Sequence, residues 1–264
     1  MRLGQVSLCL FDQVVLVLAG DRLAARAVQV GLHIFTIAYV GKMVVMDLSE
    51  VMRTNAAVRE YTDDPLPDEV LERILDNARF APSGGNRQGT HVVVVRDPQT
   101  RNRLADLAIP GARRYIAQLR NGEGPWNPLQ PCGVDAKTIA AVEVPPGSPL
   151  RDAPVVLVVC VDLAVVAAFD QDLDRIGVIA GASVYPFAWN ILLAARNEGY
   201  GGVLTTAAVA EEPRVKELLG MPETYAVAAL LPLGKPVRQL TKLKRKPVAE
   251  IATRERFDGE PFNA

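Results

Sequence analysis

Apolar residues along this chain follow two patterns, helical spacing and short continuous runs, and the two predict different elements. Residues 47–55 are predicted to form a short helix with Asp47 or Ser49 as its cap. A second helix is predicted to begin within residues 66–69, where proline suits a first turn and two acids complement the positive helix end. Its apolar residues recur at the spacing of one buried face: Val70, Ile74, Leu75 and Ala78.

Short apolar runs, rich in β-branched valine in the first two cases, predict the strands of a sheet. Helical character is predicted for residues 98–107, 113–120 and 211–219, and a long helix for 176–197, in which Pro186 causes a bend. No internal repeat or linker divides these segments, so they predict one α+β domain. The predicted strands are 92–95 and 155–161, both buried, followed by 203–206 and 226–233.

Residues 1–45 differ in character from the rest of the chain. Asp12 interrupts a first apolar run, and His33 and Lys42 interrupt a second one, which disfavours a membrane span. Three interpretations stay open: sequence upstream of a misplaced start, an amphipathic extension packed on the body, or a membrane anchor. We expect the folded domain to span residues 46–264 and the protein to be cytoplasmic.

An insert interrupts the predicted domain at about residues 109–150, and its part from Gly122 to Pro149 is rich in glycine and proline. It contains Trp126, and long insertions of this kind either cover a ligand site or run over the surface. The insert is therefore predicted to be a lid or a surface excursion.

The amino-acid composition limits the kinds of partner and catalytic chemistry that we expect of this chain. The chain has 264 residues, 49% of them hydrophobic, and a net charge of -1, which describes an ordinary globular protein and argues against a nucleic-acid partner. Three cysteines lack metal or redox spacing, and Cys160 lies in an apolar run where a buried, inert thiol is expected. Because only two histidines are present, zinc or serine-histidine catalysis is not supported, and His91 is expected to flank a strand. We therefore expect no metal site, and the catalysis to belong to a cofactor.

The loop Ala81-Pro82-Ser83-Gly84-Gly85-Asn86-Arg87-Gln88 is the most informative segment of the chain. Proline restricts its backbone, the glycines allow close approach and positive φ, and serine, asparagine and glutamine offer hydrogen bonds without charge. Neutral groups of this kind suit a flat heterocycle, although such loops also occur for turn geometry alone.

Longer segments resemble one known family. From Met52 the chain runs MRTNAAVREYTDDPLPDEVLERILDNARFAPSGGNRQGTHVVVV, which resembles the opening of the nitroreductase family of FMN-dependent oxidoreductases: a basic segment, a short helix and an APSxxNxQ loop in this order. Residues 194–202, AARNEGYGG, are similar to the family's helix end and glycine-rich turn. Leu233-Gly234-Lys235-Pro236 and then Lys244-Arg245-Lys246-Pro247 are similar to its closing strand and basic segment.

The resemblance implies a fold and a function. It implies a central, mostly antiparallel sheet flanked by helices, in an intertwined homodimer. It also implies FMN as cofactor and NADPH or NADH as co-substrate, with hydride passed in a ping-pong cycle to a nitroaromatic, a quinone or a related small-molecule acceptor.

The resemblance also implies site residues, with no protein group needed as the nucleophile. Arg59 matches the basic residue near the ribityl chain and pyrimidine edge, and Arg245, with Lys244 beside it, matches the phosphate-binding arginine. The loop that reaches the partner's FMN matches Pro82, Ser83, Gly84 and Asn86, and the segment along one flavin face matches Leu204, Thr205 and Thr206.

The chain departs from the family pattern where an Arg-Arg-Ser-x-Arg motif is usual and Asn55-Ala56-Ala57-Val58-Arg59 stands instead. Arg53, displaced by two positions, is a candidate to compensate. Two other functions stay open: a flavin-binding or sequestering protein with little turnover, and a membrane-tethered protein whose leader is its working part. Arg59, Arg245 and the threonines are also explained by surface ion pairs and strand propensity alone.

Overall fold

The computed structural model of the chain describes residues 46–263, and the predictions made for residues 1–45 lie outside them. The described chain contains seven α-helices and four strands, joined by loops and short 3-10 turns. The helices are α1 (Leu48–Thr54), α2 (Asp68–Ala78), α3 (Pro98–Arg120), α4 (Ala136–Ala140), α5 (Pro149–Asp152), α6 (Tyr185–Asn197) and α7 (Glu212–Leu219). The strands are β1 (Thr90–Val95), β2 (Val155–Asp162), β3 (Gly201–Gly202) and β4 (Tyr225–Gly234).

The strands form one antiparallel sheet in the order β1-β2-β4-β3. β2 lies in the middle, and seven of its eight residues are buried because helices cover both faces of the sheet. One set of alternating residues, including Leu157 and Val159, packs with α2 and α6. The other set, including Val156 and Val158, packs with α3 and α7. The α+β class and the antiparallel sheet flanked by helices are therefore confirmed.

Local capping explains where the first helices begin. The Asp47 side chain accepts a hydrogen bond from Ser49 N, so Asp47 is the cap of α1. α2 follows Pro67 and has Asp68 and Glu69 in its first turn, as predicted. Its buried residues are Leu71, Ile74 and Ala78, and Val70 and Leu75 are only partly buried.

Two strand predictions are wrong. β1 is an edge strand in which only Val95 is fully buried and Val94 is 42% exposed, so the valine run reflects strand propensity without burial on both faces. Residues 203–206 do not form a regular strand. Pairing with β4 occurs at Gly201–Gly202, and beyond it Thr205 alone makes a bridge to Leu230.

Helix boundaries also differ around the prolines. Residues 176–197 do not form one long helix: a 3-10 turn at Ile179–Ser183 precedes α6, and Pro186 lies in the first turn of α6. Proline has no N–H to donate, so it is accommodated best where a helix begins. Conversely, α3 runs without interruption through Pro110 and joins the two helical segments predicted at 98–107 and 113–120.

Candidate functional site

One cavity, which we call the Arg59 cavity, contains four of the predicted site residues. Its volume is about 800 Å³, and Arg59, Leu204, Thr205 and Thr206 line it. The sheet brings Arg59 and residues 204–206 together although they are far apart in sequence. The rest of the lining comes from α3, the insert and the turn after residue 206, and includes Gly111, Tyr115, Ile116, Trp126, Val144 and Pro145.

Backbone pairing fixes the segment that carries Arg59. Val58 N donates to Gly202 O at 2.9 Å, which attaches this segment to β3. Gly201 is required there, because a Cβ at that position would lie 2.6 Å from Val58 Cγ2. The Tyr61 hydroxyl lies 2.9 Å from Val58 O and 3.0 Å from Pro232 O and can donate to either. Burial raises the pKa of this hydroxyl far above its ordinary value, although the charge of Arg59 opposes the shift, so Tyr61 stays a neutral donor.

The residues after β3 are held between the sheet and α3. Thr205 exchanges two backbone hydrogen bonds with Leu230, at 3.0 and 2.8 Å. On the other side, a Cβ at Gly111 would collide with Ala207 O, so the glycine in α3 allows close approach. The backbone of residues 205–207 is therefore held by the sheet at Thr205 and by α3 at Ala207.

The insert contributes Trp126 to the same cavity. The Trp126 backbone N–H donates to Gln118 Oε1 at 3.0 Å, and the indole Nε1–H donates to Gly111 O at 3.2 Å. The Arg114 guanidinium carbon lies 4.0 Å from the centroid of the Trp126 ring. Gln118, only 2% exposed, also donates to Glu123 Oε2 at 2.9 Å, and the hydrogen bonds that Glu123 accepts, first from Gln118, lower its pKa.

Two predicted loop residues line a different cavity. Pro82 and Ser83 contribute to the Ser83 cavity, of about 890 Å³, which lies along α2 and β1. The loop itself is held by Ser83 Oγ, which accepts from Gln88 N at 3.0 Å, and by Gly84 N, which donates to Ser183 Oγ at 3.1 Å. Left-handed backbone at Gly85 explains why the loop needs a glycine there.

The other predicted site residues line neither cavity. Gly84 and Asn86 are exposed in the loop, and Arg53, Lys244 and Arg245 are exposed elsewhere. Arg245 Nη1 donates only to the neighbouring Lys244 O, at 2.8 Å, among its contacts with residues 46–263. Within the described chain, the predicted phosphate-binding cations therefore do not line the Arg59 cavity.

Asn55, which stands where the family motif has its first arginine, is 7% exposed. Its Nδ2 has no hydrogen-bond partner within residues 46–263. A buried amide without a partner is costly, and such a group is often completed by a ligand or a water molecule. The structure thus puts a neutral donor where the family places a cation.

Cys160 and His91, which lines the Ser83 cavity, offer little chemistry. Cys160 is 1% exposed, and burial raises its pKa to about 11, as expected for an inert thiol. His91 lies in β1 and meets Tyr225 edge-to-face. In residues 46–263 no group of three or more His, Cys, Asp or Glu side chains is arranged to hold a metal ion. Within the same residues, no helix has the length and apolar character needed to span a membrane.

Sequence reasoning missed part of this site. The sequence pattern does not single out Gly111 or Tyr115, and it marks Trp126 only as a member of the insert. A glycine beside Pro110 within a helix was an available signal of close packing, because neither residue favours a helix interior. Tyr61 gave no sequence signal, since its role depends on a contact with β4.

The chain is an α+β protein whose antiparallel sheet has helices on both faces, with cavities beside the glycine-rich turn and the APSGGN loop. The chain belongs to the nitroreductase family, whose model matches residues 53–235. A putative NADH dehydrogenase/NAD(P)H nitroreductase from Methanothermobacter thermautotrophicus is 27% identical over 198 residues, which cover 74% of this chain and 81% of that protein.

Solved structures share the fold. An NADPH:FMN oxidoreductase from Vibrio harveyi, complexed with NAD+, aligns with a TM-score of 0.57 and 23% identity over 80% of this chain and 78% of its own. An iodotyrosine deiodinase bound to FMN and 3-iodo-L-tyrosine aligns with a TM-score of 0.58 and 20% identity over 80% of this chain and 100% of its own.

Proposed function

We propose that this protein is an FMN-dependent NAD(P)H oxidoreductase that reduces nitroaromatic, quinone or related acceptors. The observation that carries the proposal is the Arg59 cavity, in which Arg59 and Leu204–Thr206 lie together. When bound, FMN supplies hydride transfer between a nicotinamide and an electron-poor acceptor. The protein's own residues bind, orient and stabilise charge.

The cavity suits the ring of FMN by its chemistry. Its volume of about 800 Å³ lies within the range of ligand pockets. Arg59 offers a cation for the pyrimidine edge, where negative charge develops on reduction, and Thr205 and Thr206 offer neutral hydrogen bonds. Because the backbone at Val58 and Thr205 is pinned to the sheet, these groups are preorganised.

Binding of the FMN phosphate needs cations, and Arg59 is the one cationic residue among those of the described chain that line the Arg59 cavity. We propose that Asn55 Nδ2 replaces one of the family arginines as a donor, and that Arg53, Lys244 and Arg245 contribute charge to the phosphate. This set is weaker than paired arginines, because a neutral amide forms weaker hydrogen bonds to phosphate than a guanidinium does.

A homodimer completes the proposed site. Pro82 and Ser83 line a different cavity from Arg59, which is expected if the loop Ser83–Asn86 serves the FMN of a second copy. Each twofold-related site then takes Arg59 and Leu204–Thr206 from one copy and the loop from the other.

The first experiment identifies the cofactor and separates turnover from sequestration. The purified chain is expected to be yellow, to release FMN identified by mass, and to oxidise NADH or NADPH with nitroaromatics and quinones. The acceptor panel includes 3-iodo-L-tyrosine, because one structural neighbour binds it. A colourless protein that fails to bind added FMN contradicts the proposal, and a yellow protein without turnover favours the sequestering alternative.

A matched pair of variants tests the assignment of Arg59. Arg59→Ala is expected to weaken FMN binding by at least about tenfold, since a charge-assisted hydrogen bond contributes about 1.5–3 kcal/mol. Arg120→Ala is the control, because Arg120 is exposed at the end of α3 and lies outside the cavity. Equal affinities of both variants for FMN would show that Arg59 has no role in binding.

A further inference from the structure

The insert adds an aromatic surface to the Arg59 cavity. Trp126 from the insert and Tyr115 from α3 line it together with the predicted flavin residues, and they are 43% and 49% exposed. We infer that Trp126 and Tyr115 form a platform on which the electron acceptor stacks, and that the platform favours flat aromatic acceptors bearing negative charge. This inference rests on the proposed function and specifies its substrate class.

Trp126 is built as a fixed wall. Its backbone N–H and its indole N–H both have partners in α3, Gln118 Oε1 and Gly111 O, while its ring stays partly open. Its φ is 55°, a left-handed conformation that a bulky side chain adopts only when its surroundings enforce it. A side chain held in this way loses little conformational entropy when a ligand stacks on it.

The hydrogen bonds that hold Trp126 continue to Glu123, within the insert. Gln118 is buried and bridges Trp126 to Glu123, and Glu123 also accepts from Asn121 Nδ2 at 2.7 Å and from Gly133 N at 3.3 Å. Residues on either side of Trp126, namely Asn121 and Gly133, therefore both donate hydrogen bonds to the Glu123 carboxylate. This contact pattern makes the part of the insert next to the cavity a wall, whereas the sequence left a lid or a surface excursion open.

The charge that lines the cavity is positive. Among the described residues that line the cavity, Arg59 is the one charged side chain, and none is acidic. The Arg114 guanidinium lies against the Trp126 ring, and its buried Nε has no hydrogen-bond partner in residues 46–263. A carboxylate or phenolate on a ring stacked on Trp126 would meet attraction from Arg114, and an ammonium group would meet repulsion, whereas Arg59 faces the charge of the reduced flavin.

The test separates stacking from charge. Holoprotein reduced with dithionite is mixed anaerobically with 4-nitrobenzoate, 4-nitrobenzyl alcohol or 4-nitrobenzylammonium, and the concentration that gives half the maximal rate of flavin reoxidation is measured. Half-saturation is expected at the lowest concentration for the benzoate and the highest for the ammonium compound. Equal values for the three would overturn the charge preference.

Variants assign the effect to the platform. Trp126→Ala is expected to raise the half-saturating concentration of all three acceptors by about tenfold, with Trp126→Phe in between, because an aromatic face is lost or reduced. Leu129→Ala is the control, because Leu129 lies in the same insert, is 84% exposed and does not line the cavity.

Arg114→Met keeps an apolar chain against the ring and removes the charge. It is expected to reduce the preference for the benzoate over the alcohol several-fold and to leave the alcohol unchanged. The same loss for both acceptors would show that Arg114 only supports the ring, and would overturn its part in charge selection.

A binding measurement gives a readout besides activity. Trp189→Phe leaves Trp126 as the one tryptophan of the chain, so its fluorescence reports on the platform alone. Saturable change on addition of benzoate, which is not reduced, is expected, and no change would overturn the inference. Protein without flavin would overturn the proposed function and this inference together, whereas active, flavin-loaded Trp126→Ala with unchanged saturation would overturn this inference alone.

Discussion

At the scale of single residues, Tyr61 is the position that attaches the Arg59 segment to the sheet. Tyr61→Phe removes a hydroxyl that lies within 3.0 Å of Val58 O and of Pro232 O. We expect a loss of about 1 kcal/mol in the free energy of unfolding, and weaker FMN binding because Arg59 is held less firmly. Urea denaturation and flavin titration measure the two effects.

Tyr200→Phe is the control for this prediction, because the Tyr200 hydroxyl makes a longer contact, 3.4 Å, with Pro65 O. It should change flavin affinity little. If Tyr61→Phe keeps the wild-type affinity for FMN, then the hydroxyl contributes to stability only and does not position Arg59.

At the scale of elements, the contact between α3 and the turn after Thr206 depends on Gly111. Gly111→Ala is expected to destabilise the fold by about 1–3 kcal/mol, although alanine favours helices, because its Cβ would collide with Ala207 O. Gly147→Ala has open space around its Cβ and should be nearly neutral. Thermal midpoints of the two variants check this, and a Gly111→Ala protein as stable as wild type would contradict it.

The segment between β2 and α6 has an acid-sensitive anchor. Asp170 is 4% exposed and accepts from Val178 N at 2.7 Å, Arg175 Nη1 at 2.8 Å and Ile179 N at 3.3 Å. The hydrogen bond from Val178 N, first among these interactions, lowers the pKa of Asp170. Its stabilisation is therefore present above the unfolded pKa and is lost as the pH falls through the lower folded value.

Hydrogen exchange should reveal this loss. The amides of Val178 and Ile179 are expected to exchange faster once the pH falls below about 4, after correction for the intrinsic exchange rate. Asp170→Asn removes the titrating group, so its amides should show no such step. A step of the same size in Asp170→Asn would assign the acid response to other carboxylates.

At the scale of the whole molecule, the main prediction is a homodimer. Several large apolar side chains are exposed near the APSGGN loop and α6, including Phe80 at 73%, Phe169 at 93% and Trp189 at 44%. Apolar exposure on this scale marks an interaction surface. Sedimentation should show a dimer, and Phe169→Ser should weaken it and reduce flavin retention together.

Leu129→Ser is the control, because Leu129 is equally apolar and 84% exposed but lies in the insert. It should leave the dimer intact. A flavin-loaded, active monomer would exclude the proposal that Ser83 and Asn86 serve the partner's FMN.

The sequence by itself determined the elements whose signals are local, and with them the family. Proline and acids at residues 67–69 predicted the start of α2, and the apolar run of 155–161 predicted the central strand, because capping and strand propensity depend on near neighbours. The motif order was sufficient to indicate the nitroreductase family, and the match over residues 53–235 bears it out.

Only the tertiary structure decided what depends on long-range contacts. Val94 is exposed because its side of the edge strand β1 opens on the Ser83 cavity, which a run of valines cannot reveal. Pairing of β3 with β4 brings Arg59 and Thr205 into one cavity, and packing of the insert on α3 adds Trp126. Burial and the assembly of a site depend on residues that are distant in sequence. Local patterns therefore predicted individual helices, strands and loops, whereas the tertiary contacts determined which of their residues lie together in a cavity.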